Sequence, residues 1–141
     1  MKYFILLAMT IASCGEEPIE ECPCYADLQY PIYKGCEEGT VYDLNNGCSV
    51  EAIYKQIYKA IKYPPEARED SIQGTVAVTF DIYEDGTLGN YAAPYDTLGY
   101  GLAEAAINAV KTLNERGYCP AREKCAPVIF NYTLPIKFVL Q

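Results

Sequence analysis

The chain contains no histidine. The side chain that most often acts as a general base near neutral pH, and most often ligates metals, is therefore missing, which excludes Ser-His-Asp triads and histidine metal centres. Basic residues are scarce as well: 11 Lys and Arg stand against 19 Asp and Glu, a formal charge of -8. Nucleic-acid backbones reward basic patches, so nucleic acid is not an expected partner. Long apolar runs are also lacking. The apolar run at residues 3–13 falls short of the roughly 20 residues a helix needs to cross a bilayer core, so no permanent transmembrane helix is expected.

What is present suits one modest domain with appendages: 141 residues, 50% hydrophobic and 21% charged. The acidity is uneven. Residues 15–48 hold eight acids (Glu16, Glu17, Glu20, Glu21, Asp27, Glu37, Glu38, Asp43) against Lys34 alone, a net -7, whereas residues 49–141 hold eleven acids against nine bases, a net -2.

Met1-Lys2, the apolar run and the small residues before Cys14 read as an export signal. Ile11-Ala12-Ser13-Cys14 resembles the lipobox of bacterial lipoproteins, which implies diacylglycerol on the Cys14 sulfur and cleavage just before it. Several acyl chains on one residue give stable attachment, since each buried methylene contributes about 0.8 kcal/mol. The expected organisation is a signal peptide at 1–13, an acidic cysteine-rich tether at 14–48 and a folded domain at 49–141. The acids after Cys14 fit a solvated, self-repelling tether; they also resemble the surface-export signal of Bacteroidota lipoproteins. The expected location is the cell envelope, at the outer membrane facing the periplasm, with surface exposure as the alternative.

With Cys14 acylated, six cysteines remain, and an even number in an exported chain suggests disulfides. Cys119 and Cys125 bracket a short loop and are expected to bridge locally, which leaves Cys22, Cys24, Cys36 and Cys48 with three pairings open. Their spacings of one, eleven and eleven intervening residues are not the paired knuckles of structural zinc. No metal and no cofactor is expected.

The folded part is organised around residues 73–90, QGTVAVTFDIYEDGTLGN. Val76, Val78, Phe80 and Ile82 alternate with Thr75, Ala77, Thr79 and Asp81, the pattern of a half-buried strand, and Glu84-Asp85-Gly86 supplies the reversal into a second strand near 87–93. Before it, residues 49–62 predict a helix capped by Ser49, with Ile53, Ile57, Tyr58 and Ile61 inward and Lys55, Lys59 and Lys62 solvated. Pro65 opens a second short helix. Residues 102–114 predict a third, striped by Leu102, Ala106, Ile107, Val110 and Leu113. Residues 128–140 predict one long final strand with Val128, Phe130, Tyr132, Leu134, Ile136 and Phe138 on one face. Pro135 lacks an amide donor, so this strand is expected to pair on one side only and leave an open edge.

In this order, Tyr63-Pro64, Ala67-Arg68, Ile72, Gly74, Val76, Val78, Phe80, Asp85-Gly86, Gly101-Leu102, Ala106, Pro120, Pro127-Val128 and residues 132–138 resemble the C-terminal domain of TonB, especially short TonB-like proteins of Bacteroidota. The resemblance implies an α+β fold: a three-stranded antiparallel sheet with two to three helices on one face. It also implies contact with TonB-dependent outer-membrane transporters, whose box segment adds as a strand beside the last strand of the domain. Carried onto this sequence, that edge comprises Val128, Ile129, Phe130, Asn131, Tyr132, Thr133, Leu134, Ile136, Lys137 and Phe138. The transmembrane helix and proline-rich spacer of an energy transducer are not recognisable, so binding without force transmission is expected.

Two function classes follow. One is a non-catalytic, lipid-anchored module that binds a transporter or another envelope protein through its last strand. The alternative is a structural or assembly lipoprotein that uses the same edge for a homodimer or a fixed partner. An enzyme is not expected: Asp81, Glu84 and Asp85 cluster near the hairpin, but hairpin acids are usually turn residues and no nucleophile has a visible base.

Overall fold

The computed structural model describes residues 27–36 and 48–141. In chain order the elements are β1 (Leu28–Gln29), β2 (Ile32–Tyr33), α1 (Cys48–Ala60), α2 (Pro65–Glu69), β3 (Gly74–Ile82), β4 (Leu88–Ala92) and α3 (Leu102–Lys111), which tightens into a 3-10 helix at Thr112–Glu115. Then come β5 (Tyr118–Cys119), β6 (Ala121–Glu123), β7 (Ala126–Val128) and β8 (Phe130–Phe138). The fold is α+β, with an antiparallel three-stranded sheet in the order β4-β3-β8, as the sequence predicts.

The alternation along β3 dictates the layering. Val76, Val78, Phe80 and Ile82 are buried on one face, where Leu134, Ile136 and Phe138 of β8 join them. α3 lies directly on β3 and contributes Leu102, Ala106, Ala109 and Val110; α1 packs against α3 and contributes Ile53 and Ile57. Full burial of each large aliphatic or aromatic side chain is worth about 1.5–3 kcal/mol, so this single face holds most of the stabilising area. Tyr63 closes one end: its ring meets Phe138 edge-on at 5.5 Å and its hydroxyl donates to the Ile72 carbonyl.

Three features depart from the expected layout. Residues 27–36, read as tether, contain two short strands: β1 pairs with β6 in a sheet ordered β1-β6-β7, and β2 pairs with β5. Tyr33 of β2 enters the core, 2% exposed, with its ring 5.1 Å from that of Tyr118 and the Arg116 guanidinium over the ring at 5.1 Å. The final strand is also divided: Val128 ends β7, Ile129 lies in neither strand, and β8 starts at Phe130. Finally, α1 starts at Cys48, so Ser49 lies inside the helix rather than capping it.

The hairpin turn docks onto β5. Asp85 Oδ1 accepts from the Thr87 amide at 2.9 Å and its hydroxyl at 2.6 Å, and the Gly86 carbonyl accepts from the Tyr118 amide at 3.0 Å. Gly86 has φ +82, and a Cβ there would lie 1.9 Å from the Tyr118 carbonyl oxygen. On the open face of the sheet, Asp81 accepts from Asn131 Nδ2 at 2.8 Å and Asn90 Nδ2 at 2.9 Å, which ties β3 to both neighbours. Those two amides, Asn131 first, hold the Asp81 carboxyl below its ordinary value of 3.8.

Two outcomes are expected from urea unfolding. Gly86→Ala should cost more than about 2 kcal/mol, because strained φ and steric conflict add, whereas Gly99→Ala should cost only about 1 kcal/mol. Gly99 has φ +65 but no atom within 4 Å of the added Cβ, so equal losses at both sites would show that contact with Tyr118 is unimportant. Asp81→Asn should cost about 1 kcal/mol at pH 7, modest because the group is solvated. A lowered folded-state pKa gives stability that is complete above the ordinary carboxylate value and fades as pH falls through the folded value. The wild-type advantage over Asp81→Asn should therefore vanish in acid; an advantage that persists below pH 2 would rule the two hydrogen bonds out as its source.

Candidate functional site

β8 pairs with β3 across its whole length, from Gly74 opposite Phe138 to Ile82 opposite Phe130. Among the described residues no strand lies on its other side. In an antiparallel pair, residues alternate between those that exchange backbone bonds with the neighbour and those whose groups face away. Pro135 sets the phase. It has no amide to give to Ala77, its partner in register, and its carbonyl accepts instead from the Tyr54 hydroxyl at 3.0 Å. The Lys137 amide likewise donates outward, to the Tyr58 hydroxyl at 3.2 Å. Asn131 and Thr133 share this phase, so their amides and carbonyls also face the outer edge.

Side chains divide the same way. Asn131, Thr133, Pro135 and Lys137 are exposed on the open face, while Phe130 and Tyr132 are half-buried beside the helices and Leu134, Ile136 and Phe138 are buried. An aromatic row flanks the edge on the helix side. Tyr30 meets Phe130 edge-on at 5.8 Å, the rings of Phe130 and Tyr132 are 6.3 Å apart, and Tyr54 stacks on Tyr58 at 5.9 Å. Burial pushes the hydroxyls of Tyr132 and Tyr54 up from the ordinary value, with smaller upward contributions from Tyr54 on Tyr132 and from Tyr58 on Tyr54. These phenols stay protonated, and that of Tyr54 donates to the Pro135 carbonyl.

Of the edge residues named from the sequence, Phe130, Asn131, Tyr132, Thr133, Leu134, Ile136, Lys137 and Phe138 lie on β8. Val128 and Ile129 do not; the alternating pattern runs through a break at Ile129 that it cannot register. Tyr58 is corrected too: assigned to the inward stripe of α1, it is 47% exposed and reaches toward β8. Tyr54 was missed. Its signal is the pair of tyrosines four apart on one helix, a spacing that aligns two hydroxyls on one face.

The hairpin acids do not form a catalytic pair. Asp81 cross-links strands, Asp85 closes the turn, and Glu84 is exposed. Near the end of β8 an open cleft of about 250 Å³ is lined by Tyr58, Ile61, Tyr63, Lys137, Phe138, Val139 and Gln141. It is smaller than the roughly 300–1,000 Å³ of ligand pockets, so the strand edge is the stronger candidate. No described helix is long and apolar enough to cross a membrane. Cys36, Cys119 and Cys125 are disulfide-bonded. The expected Cys119 to Cys125 bridge is corrected: Leu28, Gln29, Ile32 and Tyr33 pair in one constant register with Glu123, Arg122, Cys119 and Tyr118, so this segment is extended and Cys119 lies about 13 Å from Glu123, with Cys125 in the turn beyond, too far to bridge. Cys14, Cys22 and Cys24, with the signal peptide at 1–13, lie outside the described residues; Cys48 opens α1.

The family model described as the Gram-negative bacterial TonB protein C-terminal matches residues 59–140. Two solution structures of the Helicobacter pylori TonB C-terminal domain share the fold. One is 23% identical with a TM-score of 0.53, covering 65% of this chain and 80% of that one. The other is 22% identical with a TM-score of 0.50, covering 63% and 90%. No curated protein matches the chain. With more than half its length matched, the chain belongs to the TonB C-terminal domain family.

Proposed function

We propose that this protein is a non-catalytic binding module that takes an extended segment of an envelope protein as an added strand on β8. The observation that carries this reading is the outer edge of β8, where the backbone groups of Asn131 and Thr133 face away from β3. Strand addition draws affinity from main-chain hydrogen bonds and selectivity from alternating side chains. Each such bond contributes about 0.5–1.5 kcal/mol net, so a few of them support reversible binding. The family is one of protein-interaction domains associated with transport, which makes a TonB-dependent outer-membrane transporter the proposed partner.

We read the chain as a lipoprotein held in the cell envelope by Cys14, with residues 14–48 leading to the domain at 49–141. Cys36, Cys119 and Cys125 are read as linked to cysteines of the N-terminal segment, among Cys22, Cys24 and Cys48. Such links restrict the unfolded chain by about 2–4 kcal/mol each in favourable cases. They suit a segment whose strands are only two residues long.

Titration with a TonB-box peptide tests the edge. Thr133→Pro removes an outward amide that β3 does not use, so the fold should persist while peptide affinity falls about tenfold or more. Equal affinity in both proteins would sink strand addition at β8. A concentration-dependent dimer lost in the same variant would point instead to self-association through this edge. The anchor is tested by labelling cells with a radioactive fatty acid: label should enter the wild type and not Cys14→Ala, and label in both would refute the acyl site. Mass mapping of the unreduced protein should recover Cys119 and Cys125 in separate peptides, each linked to a cysteine of residues 14–48; a linked Cys119 and Cys125 peptide would refute this pairing.

A further inference from the structure

The outer edge of β8 is not uniformly open. Its outward groups at Asn131 and Thr133 face away from β3, but the Pro135 carbonyl and the Lys137 amide are taken by two side chains of α1. Tyr54 donates to the carbonyl of Pro135, and Tyr58 accepts from the amide of Lys137. Residues four apart on a helix are separated by about 6 Å along the axis. Outward-facing residues on a strand recur every second position, a repeat of about 6.6 Å. The two spacings nearly match, so one helix face can stand in for a neighbouring strand. Ile53 and Ile57, buried in the core, fix the helix, and the stacked rings are only 18° from parallel. Both tyrosines precede residue 59, where the match to the family model begins.

Resting on the strand-addition reading, we propose that Tyr54 and Tyr58 act as a side-chain strand that closes the Pro135 and Lys137 half of the edge and confines an incoming strand to Asn131 and Thr133. The energetic balance favours this confinement. A strand continuing past Thr133 finds the Pro135 carbonyl and the Lys137 amide already satisfied and no donor at Pro135, which leaves it the Lys137 carbonyl alone. Exchanging two hydrogen bonds for two others gains little. Displacing the tyrosines also gives up the packing of two stacked rings, worth about 0.5–1.5 kcal/mol beyond their buried area.

Confinement defines the partner. Directly opposed residues in a sheet place their side chains on the same face. The partner residue opposite Tyr132 therefore sits beside the half-buried rings of Tyr132 and Phe130 and is apolar. Its two neighbours lie over Asn131 and Thr133 on the exposed face and are polar. The segment recognised is thus short and extended, with one apolar side chain between two hydrogen-bonding ones.

Residue-resolved amide exchange on the full chain, read by NMR, tests the closure without any ligand. In the wild type the Lys137 amide should exchange slowly and that of Thr133 quickly. Tyr58→Phe keeps the ring and the stack but removes the acceptor, and it should speed exchange at Lys137 at least about fivefold while Val78 in the sheet centre is unchanged. Equal exchange at Lys137 in the two proteins overturns the closure. A TonB-box peptide serves as the probe for register. In the wild type it should slow exchange at Asn131 and Thr133 with no nuclear Overhauser contact to Lys137, whereas with Tyr54→Phe/Tyr58→Phe it should also slow Lys137. Peptide contacts to Lys137 in the wild type overturn the confinement. A peptide that binds neither protein, alongside faster Lys137 exchange in Tyr58→Phe, upholds the closure and refutes strand addition.

Discussion

Everything in this domain depends on the register between β3 and β8. Both strands are nine residues long and pair along their full length. One buried set of side chains and one proline are satisfied together in that register. A slip by one residue would turn Pro135 toward β3, where its missing amide leaves a gap in the ladder. It would also turn Leu134, Ile136 and Phe138 out to solvent, at about 1.5–3 kcal/mol each. The hydrophobic face and the proline thus select the same alignment. That alignment decides which backbone groups face outward and gives the outer edge its character.

The remaining elements protect this pairing. α3 covers β3 directly, the hairpin turn is fastened to β5 through Gly86, and Asp81 bridges to Asn90 and Asn131 where the sheet lacks a helix over it. On the other margin, β4 receives support from α3 and from the Asn114 side chain, whose Oδ1 accepts from the Leu88 amide at 3.1 Å. An unsupported flat edge invites aggregation. Here the β8 margin carries a proline, an exposed lysine and two tyrosine hydroxyls, leaving only a short stretch of unclaimed backbone.

Much of this was legible in the sequence because the signals were periodic. The alternation from Thr75 to Ile82 and the stripe of α3 each run long enough to fix a face, and the turn at Asp85-Gly86 has a direct stereochemical reason. Pro135 disclosed the open edge through a missing atom. What escaped the sequence was short or tertiary. Strands of two residues, such as Leu28–Gln29 and Ile32–Tyr33, cannot show a period, and their pairing with residues 118–123 spans most of the chain. The break at Ile129 preserves the alternation on both sides of it. Tyr58 lies at the margin of the α1 stripe, and a helical wheel cannot distinguish a core tyrosine from one whose hydroxyl leaves the core to meet another element.

That last ambiguity bears on function, because tyrosine suits both roles at once. Its ring contributes area to the boundary of the core, and its hydroxyl needs a partner that the boundary must supply. On α1 the partner is the backbone of β8 rather than water, so the residues that complete the helix packing also occupy half of the binding edge. A phenylalanine would pack as well but leave the Lys137 amide to solvent or to a guest strand. The hydroxyl is therefore the chemical difference between an edge that accepts a long strand and one that accepts a short one. In a domain built mainly from a sheet, selectivity can then reside in the helix that packs beside its edge.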